Sequence, residues 1–161
     1  MIAKANSQPV SNPNFKHASL LVVEDNDDHW HLIQLAIERS LSEVKAVRTT
    51  NVEETLNYLH TCSLQARDLP KLILLDLYLP DRQDGWNILK QIKHSSSPYK
   101  QLPVVILSYS SNRDDITESY FYGSTSYITK PSDMGEWEKY IQTLRLYWWE
   151  TVTLPNDRLA F

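Results

Sequence analysis

The chain has 161 residues, one domain at about 150 residues per domain, and is long enough to bury roughly 70% of the surface its unfolded form exposes. Sixteen Lys and Arg against twenty Asp and Glu leave a net charge of −4, which argues against a nucleic-acid groove built on several phosphate contacts. Cys62 is the single cysteine and no run approaches the length of a membrane span, so disulfides, a cysteine zinc site, secretion and membrane insertion are not expected, and the cytoplasm is the expected compartment.

Residues 1–18 mix Pro, Asn, Ser and Lys without periodicity and read as a flexible N-terminal arm. Leu20–Val23 is then a short, unbroken apolar run, as expected of a strand buried on both faces. Trp30, Ile33, Leu35, Ile37 and Leu41 mark a first helix, and Val44–Arg48 alternates like an edge strand. Asn51 with Glu54 three residues on begins a second helix in the manner of a capping box. Lys71–Leu75 is the third strand, Trp86, Ile88, Leu89 and Ile92 the third helix, and Pro103–Leu107 the fourth strand. Ile116, Tyr120 and Phe121 give the stripe of a fourth helix, followed by a short strand at Tyr127–Thr129. A fifth helix begins near Asp133 and carries Trp137, Tyr140, Ile141, Leu144 and Trp148. Strand and helix alternate five times, which favours a parallel sheet covered by helices on both faces.

In such a sheet, sites form where loops at the carboxyl ends of the strands meet. Here the runs end in Glu24-Asp25, Asp76, Ser108 and Lys130, so five polar groups from four strands converge on one edge. Three clustered carboxylates repel unless a cation is present, and carboxylates with a carbonyl suit a hard octahedral ion such as Mg²⁺. A carboxylate beside that ion can act as a nucleophile and become an acyl phosphate. A lysine and a small hydroxyl would serve the phosphoryl oxygens. The absence of G-x-G-x-x-G and G-x-x-x-x-G-K removes the dinucleotide-binding and P-loop alternatives.

At these residues the chain resembles the receiver domain of two-component response regulators, through LLVVEDNDD (20–28), LILLDLYLP (72–80), PVVILS (103–108) and GSTSYITKP (123–131). The resemblance implies an α/β, flavodoxin-like fold: a doubly wound, five-stranded parallel sheet of order 2-1-3-4-5 with five helices. It implies that Asp76 takes a phosphoryl group from a sensor histidine kinase. Glu24, Asp25, Asp76 and the backbone carbonyl of Tyr78 would hold Mg²⁺, with Ser108 and Lys130 contacting the phosphoryl group. It further implies a switch by Ser108 and Tyr127 and a cis Lys130–Pro131 bond. Two departures stand out: the bulky Tyr109 after the switch hydroxyl, which with Tyr78 would screen attacking water and slow phosphate loss, and a loop one residue longer before Gly85.

The chain divides on this reading into an arm (1–18), a receiver (19–147) and an aromatic C-terminal extension (148–161), a stand-alone receiver. The segment 137–155 is similar to the C-terminus of cyanobacterial phytochrome response regulators, which makes a phytochrome the expected kinase. Trp148 and Trp149 lie about 100° apart on a helix and cannot share one buried face. With Trp137 they are expected at a homodimer interface formed by the extension and the face of the fourth helix, last strand and fifth helix. No role is expected of the five histidines, and Cys62 reads as a packing residue. Two other functions share these features: a pseudo-receiver that interacts without phosphorylation, and a phosphohydrolase of the haloacid dehalogenase type. The latter requires an Asp two residues after the nucleophile, where this chain has Tyr78. Beyond its own phosphorylation and dephosphorylation, no enzyme activity is expected.

Overall fold

The computed structural model describes residues 12–65 and 68–155. Five parallel strands, β1 (Ser19–Val23), β2 (Lys45–Thr49), β3 (Leu72–Asp76), β4 (Val104–Ser108) and β5 (Ser126–Thr129), lie in the order β2-β1-β3-β4-β5. The three central strands are buried along their whole length, whereas β2 and β5 at the edges are half-covered. This is the pattern their unbroken and alternating sequences require. Between and after the strands run α1 (Asp27–Ser40), α2 (Val52–Leu64), α3 (Arg82–Lys93), α4 (Arg113–Phe121) and α5 (Met134–Leu144).

Two cores follow from the alternation of side chains along the strands. Leu20, Val22, Leu72, Leu74, Val105 and Leu107 pack on α1 and α5, and Leu21, Val23, Ile73, Leu75, Val104 and Ile106 on α2 and α3. Cys62 is buried in the second core. The helix starts are set by side chains: Asn51 accepts from the Glu54 amide at 2.9 Å and Asp133 from the Glu136 amide at 2.9 Å. In both, the glutamate reaches back one residue beyond the cap, to the amides of Thr50 and Ser132. Asn26 caps α1, its side chain accepting from the His29 amide at 3.0 Å. Gly85 lies in the first turn of α3, where a Cβ would stand 2.1 Å from the Leu77 carbonyl oxygen. Only glycine lets that turn sit against the end of β3.

Three expectations are corrected. The fourth helix does not bury its aromatic stripe: Asp115 and Ser119 face inward, while Tyr120 and Phe121 are 51% and 82% exposed. Among the described residues the cis proline bond is Leu79–Pro80, not Lys130–Pro131; the tight turn lies after β3, where the Leu79 amide donates to the Asp81 carbonyl two residues on. Finally, Trp137, Trp148 and Trp149 are all buried inside the chain. After α5 the helix widens into a π turn over Arg145–Trp149, with Glu150 and Val152 amides bonded five residues back. A wider turn narrows the angle between adjacent side chains. A 3₁₀ turn at Pro13–Phe15 supplies the missing wall: Asn14 is buried and its amide donates to the Trp148 and Val152 carbonyls at 3.0 and 2.7 Å. Phe15 lies 5.0 Å from the Arg145 guanidinium. Thus residues 12–18, assigned from sequence to the arm, seal the tryptophans, while residues 1–11 of that arm fall outside the described residues.

Candidate phosphoacceptor site

The carboxyl ends of β1, β3, β4 and β5 bring the expected residues to one edge. Glu24 continues β1, its amide donating to the Thr49 carbonyl at 3.0 Å, and Lys130 continues β5, its amide donating to the Ser108 carbonyl at 2.8 Å. Their side chains meet between the strands. Lys130 Nζ donates to Glu24 Oε2 at 2.7 Å and to Asp76 Oδ2 at 3.0 Å, and all three residues are buried. Asp25 is exposed at the rim, yet it offers a carboxylate oxygen within 4.8 Å of ligand oxygens on Glu24 and Asp76. Three carboxylates this close fit a hard divalent cation, which would be held by Glu24, Asp25 and Asp76.

Charge in the pocket explains the protonation of its members. Two buried acids share one ammonium, an excess of one negative charge. Burial pushes the Asp76 carboxyl up to about 7, with Glu24 acting in the same direction and Lys130 and the Tyr78 amide opposing. Burial draws Lys130 down, but the attraction of Asp76 and Glu24 outweighs it and holds the ammonium above its ordinary value. The proton demand thus falls on Asp76, the acid with the longer contact to Lys130.

Ser108 ends β4 fully buried, and its Oγ accepts from the Ser110 amide at 3.1 Å. Tyr127 is half-buried on β5 and its hydroxyl donates to the Ser110 carbonyl at 2.6 Å. Ser110 therefore joins the two expected switch residues through its own backbone. Its hydroxyl donates to Asp115 Oδ2 at 2.6 Å, and Asp115 also accepts from the Tyr78 hydroxyl at 2.9 Å and Arg82 at 2.6 Å. Burial raises the Asp115 carboxyl, but the hydrogen bonds from Ser110, Arg82 and Tyr78 prevail and hold it below the ordinary carboxylate range.

Sequence reading missed that node and one more residue. His29 lies in the first turn of α1, with Nδ1 3.2 Å from Lys130 Nζ and its ring edge-on to Tyr109 at 5.1 Å. A signal was present: the position follows the Glu24-Asp25 pair at the start of the helix that begins on this edge. Tyr109 is 57% exposed and its ring centre lies 5.2 Å from Lys130 Nζ, so it stands at the mouth of the pocket.

A parallel sheet of this order that brings three carboxylates, a buried lysine and a buried hydroxyl to one edge has the architecture that the resemblance to receiver domains implies. The description of the response regulator receiver domain matches residues 20–142, and the chain belongs to that family. It is 33% identical over 137 residues to the response regulator Rcp1 of Synechocystis sp., covering 84% of this chain and 92% of the relative. A probable methanogenesis regulatory protein, FilR2 of Methanothrix harundinacea, is 34% identical over 129 residues, 80% of this chain and 82% of its own. Among solved structures, the phosphorylated cyanobacterial phytochrome response regulator RcpA is 37% identical with a TM-score of 0.75, over 87% of this chain and 99% of its own. The Mn²⁺-bound form of Rcp1 is 32% identical with a TM-score of 0.73, over 86% and 99%. The chain is thus a receiver of two-component signalling with a cluster of three acids at the edge of its sheet, and a phosphorylation-independent module is not favoured. No helix among the described residues is long and apolar enough to cross a membrane.

Proposed function

We propose that this receiver accepts a phosphoryl group on Asp76 from a phosphohistidine of a sensor kinase, with Mg²⁺ as its metal, in the cytoplasm. In the transfer, an Asp76 oxygen bonds phosphorus, the nitrogen–phosphorus bond breaks, and the imidazole leaves with its electron pair. Mg²⁺, when bound by Glu24, Asp25, Asp76 and the Tyr78 carbonyl, offsets the charge on the phosphoryl oxygens. Lys130, already held 3.0 Å from Asp76, supplies the second positive charge, and Ser108 supplies a hydroxyl donor. The observation that carries this reading is the meeting of Lys130, Glu24 and Asp76 in one buried contact, with Asp25 at its rim.

The likeness to RcpA, a phytochrome response regulator, supports a phytochrome-type histidine kinase as donor. Movement of Ser108 toward the phosphoryl group would pull on Ser110 and so on Tyr127 and Asp115, relaying the change to α4. Tyr120 and Phe121 are exposed there. A homodimer through α4, β5 and α5 would therefore use these rings rather than the tryptophans, and sedimentation of wild type and Phe121→Glu tests that contact. The donor is tested by phosphotransfer profiling against purified histidine kinases. Rapid transfer from a phytochrome-type kinase, absent in Asp76→Asn, is expected; transfer that persists in Asp76→Asn contradicts the assignment.

A further inference from the structure

A lysine ammonium has three protons to donate. Lys130 gives two of them to carboxylates, Glu24 at 2.7 Å and Asp76 at 3.0 Å. Its remaining acceptor among the described residues is His29 Nδ1 at 3.2 Å. The ammonium is thereby saturated by two carboxyl oxygens and one imidazole nitrogen. The lysine side chain is 1% exposed, so no water competes for the third proton from the bulk.

The imidazole is held in place from two sides. The His29 amide donates to the Asn26 cap at 3.0 Å, which ties the residue to the first turn of α1. Its Nε2 stands 3.3 Å from the Tyr109 hydroxyl. An ammonium can only donate, so Nδ1 is the acceptor in its contact with Lys130, while Nε2 faces the Tyr109 hydroxyl and Glu24 Oε1 lies 3.6 Å from Nδ1. Lys130, His29 and Tyr109 then form a hydrogen-bonded chain from the end of β5, through the start of α1, to the residue after Ser108. The ring of Tyr109 lies over Lys130 Nζ at 5.2 Å and closes the group from the solvent side.

We propose that His29 is a positioning residue for Lys130, with Tyr109 orienting the imidazole. This rests on the phosphoacceptor reading above. Were Glu24 to turn its carboxylate to a cation, Lys130 would lose its shortest contact, and His29 would remain beside Asp76 as its acceptor. The ammonium is then held in place to meet the charge that develops on the phosphoryl oxygens, and a displacement of about 1 Å at such a group can cost on the order of a hundredfold in rate. An imidazole nitrogen suits this task because it fixes the lysine without adding a third carboxylate to compete with the phosphoryl group.

The test compares His29→Asn, His29→Gln and His29→Leu. The asparagine amide oxygen falls near the place of Nδ1, whereas the glutamine amide reaches toward that of Nε2. With acetyl phosphate and Mg²⁺, His29→Leu is expected to lower the maximal phosphorylation rate about tenfold, within that positional range, with the half-saturating donor concentration unchanged. His29→Asn should recover most of the loss and His29→Gln little of it. The second readout needs neither phosphate nor metal: in chelator, the ¹⁵N-resolved signal of the Lys130 ammonium should be visible in wild type and His29→Asn and lost to solvent exchange in His29→Leu. Equal rates in all variants with an unchanged ammonium signal overturn the proposal, as do rescue by glutamine equal to that by asparagine and a change in half-saturation alone. Should wild type take up no phosphate at all, the phosphoacceptor reading fails, and the ammonium signal alone decides whether His29 holds Lys130.

Discussion

Replacing Asp76 by Asn removes the excess negative charge from the pocket while keeping the shape of the side chain and one oxygen for Lys130. In the metal-free protein the folded Asp76 keeps its proton up to about 7, against 3.8 for an ordinary aspartate. Between these values the folded state binds more protons than the unfolded one, so the contribution of Asp76 to stability falls as pH rises through that window. At about 1.4 kcal/mol per pKa unit the ceiling on this loss is roughly 4 kcal/mol. An amide that does not reproduce every contact of the protonated carboxyl gives back about 1 kcal/mol or more. Asp76→Asn is therefore expected to be more stable than wild type by about 1–3 kcal/mol at pH of about 8 in chelator, with the gap closing toward a pH of about 4. Urea denaturation of both proteins across that range measures it, and taking the difference cancels the histidines and other common groups. A difference that is independent of pH, or a variant less stable at the alkaline end, would refute the charge argument.

Lys130→Met leaves Glu24 and Asp76 buried without their cation, and a loss of about 3–5 kcal/mol is expected in chelator at alkaline pH; added Mg²⁺ should restore part of it, and a variant as stable as wild type contradicts the described pocket. Gly85→Ala drives a methyl group into the Leu77 backbone, so a loss of about 2–3 kcal/mol is expected by urea denaturation, and a neutral result means that α3 does not start against β3 as described. Asp115→Asn weakens the contacts from Tyr78, Arg82 and Ser110 and should cost about 1–2 kcal/mol near neutrality. Because the wild-type carboxyl lies below its ordinary value, that difference should shrink as pH falls through the carboxylate range; growth of the difference on acidification contradicts the network.

The sheet and the pocket were legible because each rests on short-range signals. Unbroken apolar runs such as Leu72–Leu75 can be satisfied only between two helical layers, and the polar residue that ends each run marks the edge where they meet. Caps such as Asn51 and Asp133 act within four residues and could be read directly. What escaped depends on contacts remote in sequence. His29 joins Lys130 across 101 positions, and Asp115 is bonded by Tyr78, in the loop after β3, and by Arg82 at the start of α3. The apolar stripe of α4 was misread because hydrogen bonding at Asp115 and Ser119, not hydrophobicity, turns that helix. The tryptophans were misplaced because an ideal α-helical angle was assumed where the chain forms a π turn, and because Asn14 reaches the Trp148 carbonyl across 134 positions.

The central assignment is tested most directly by locating the phosphoryl group. The protein is treated with acetyl phosphate, with and without Mg²⁺, and digested, and its peptides are analysed by mass. A single modification on the peptide that contains Asp76, dependent on the metal and lost when the metal is chelated beforehand, is the predicted outcome. Modification elsewhere in the chain, or uptake that needs no divalent ion, would contradict it.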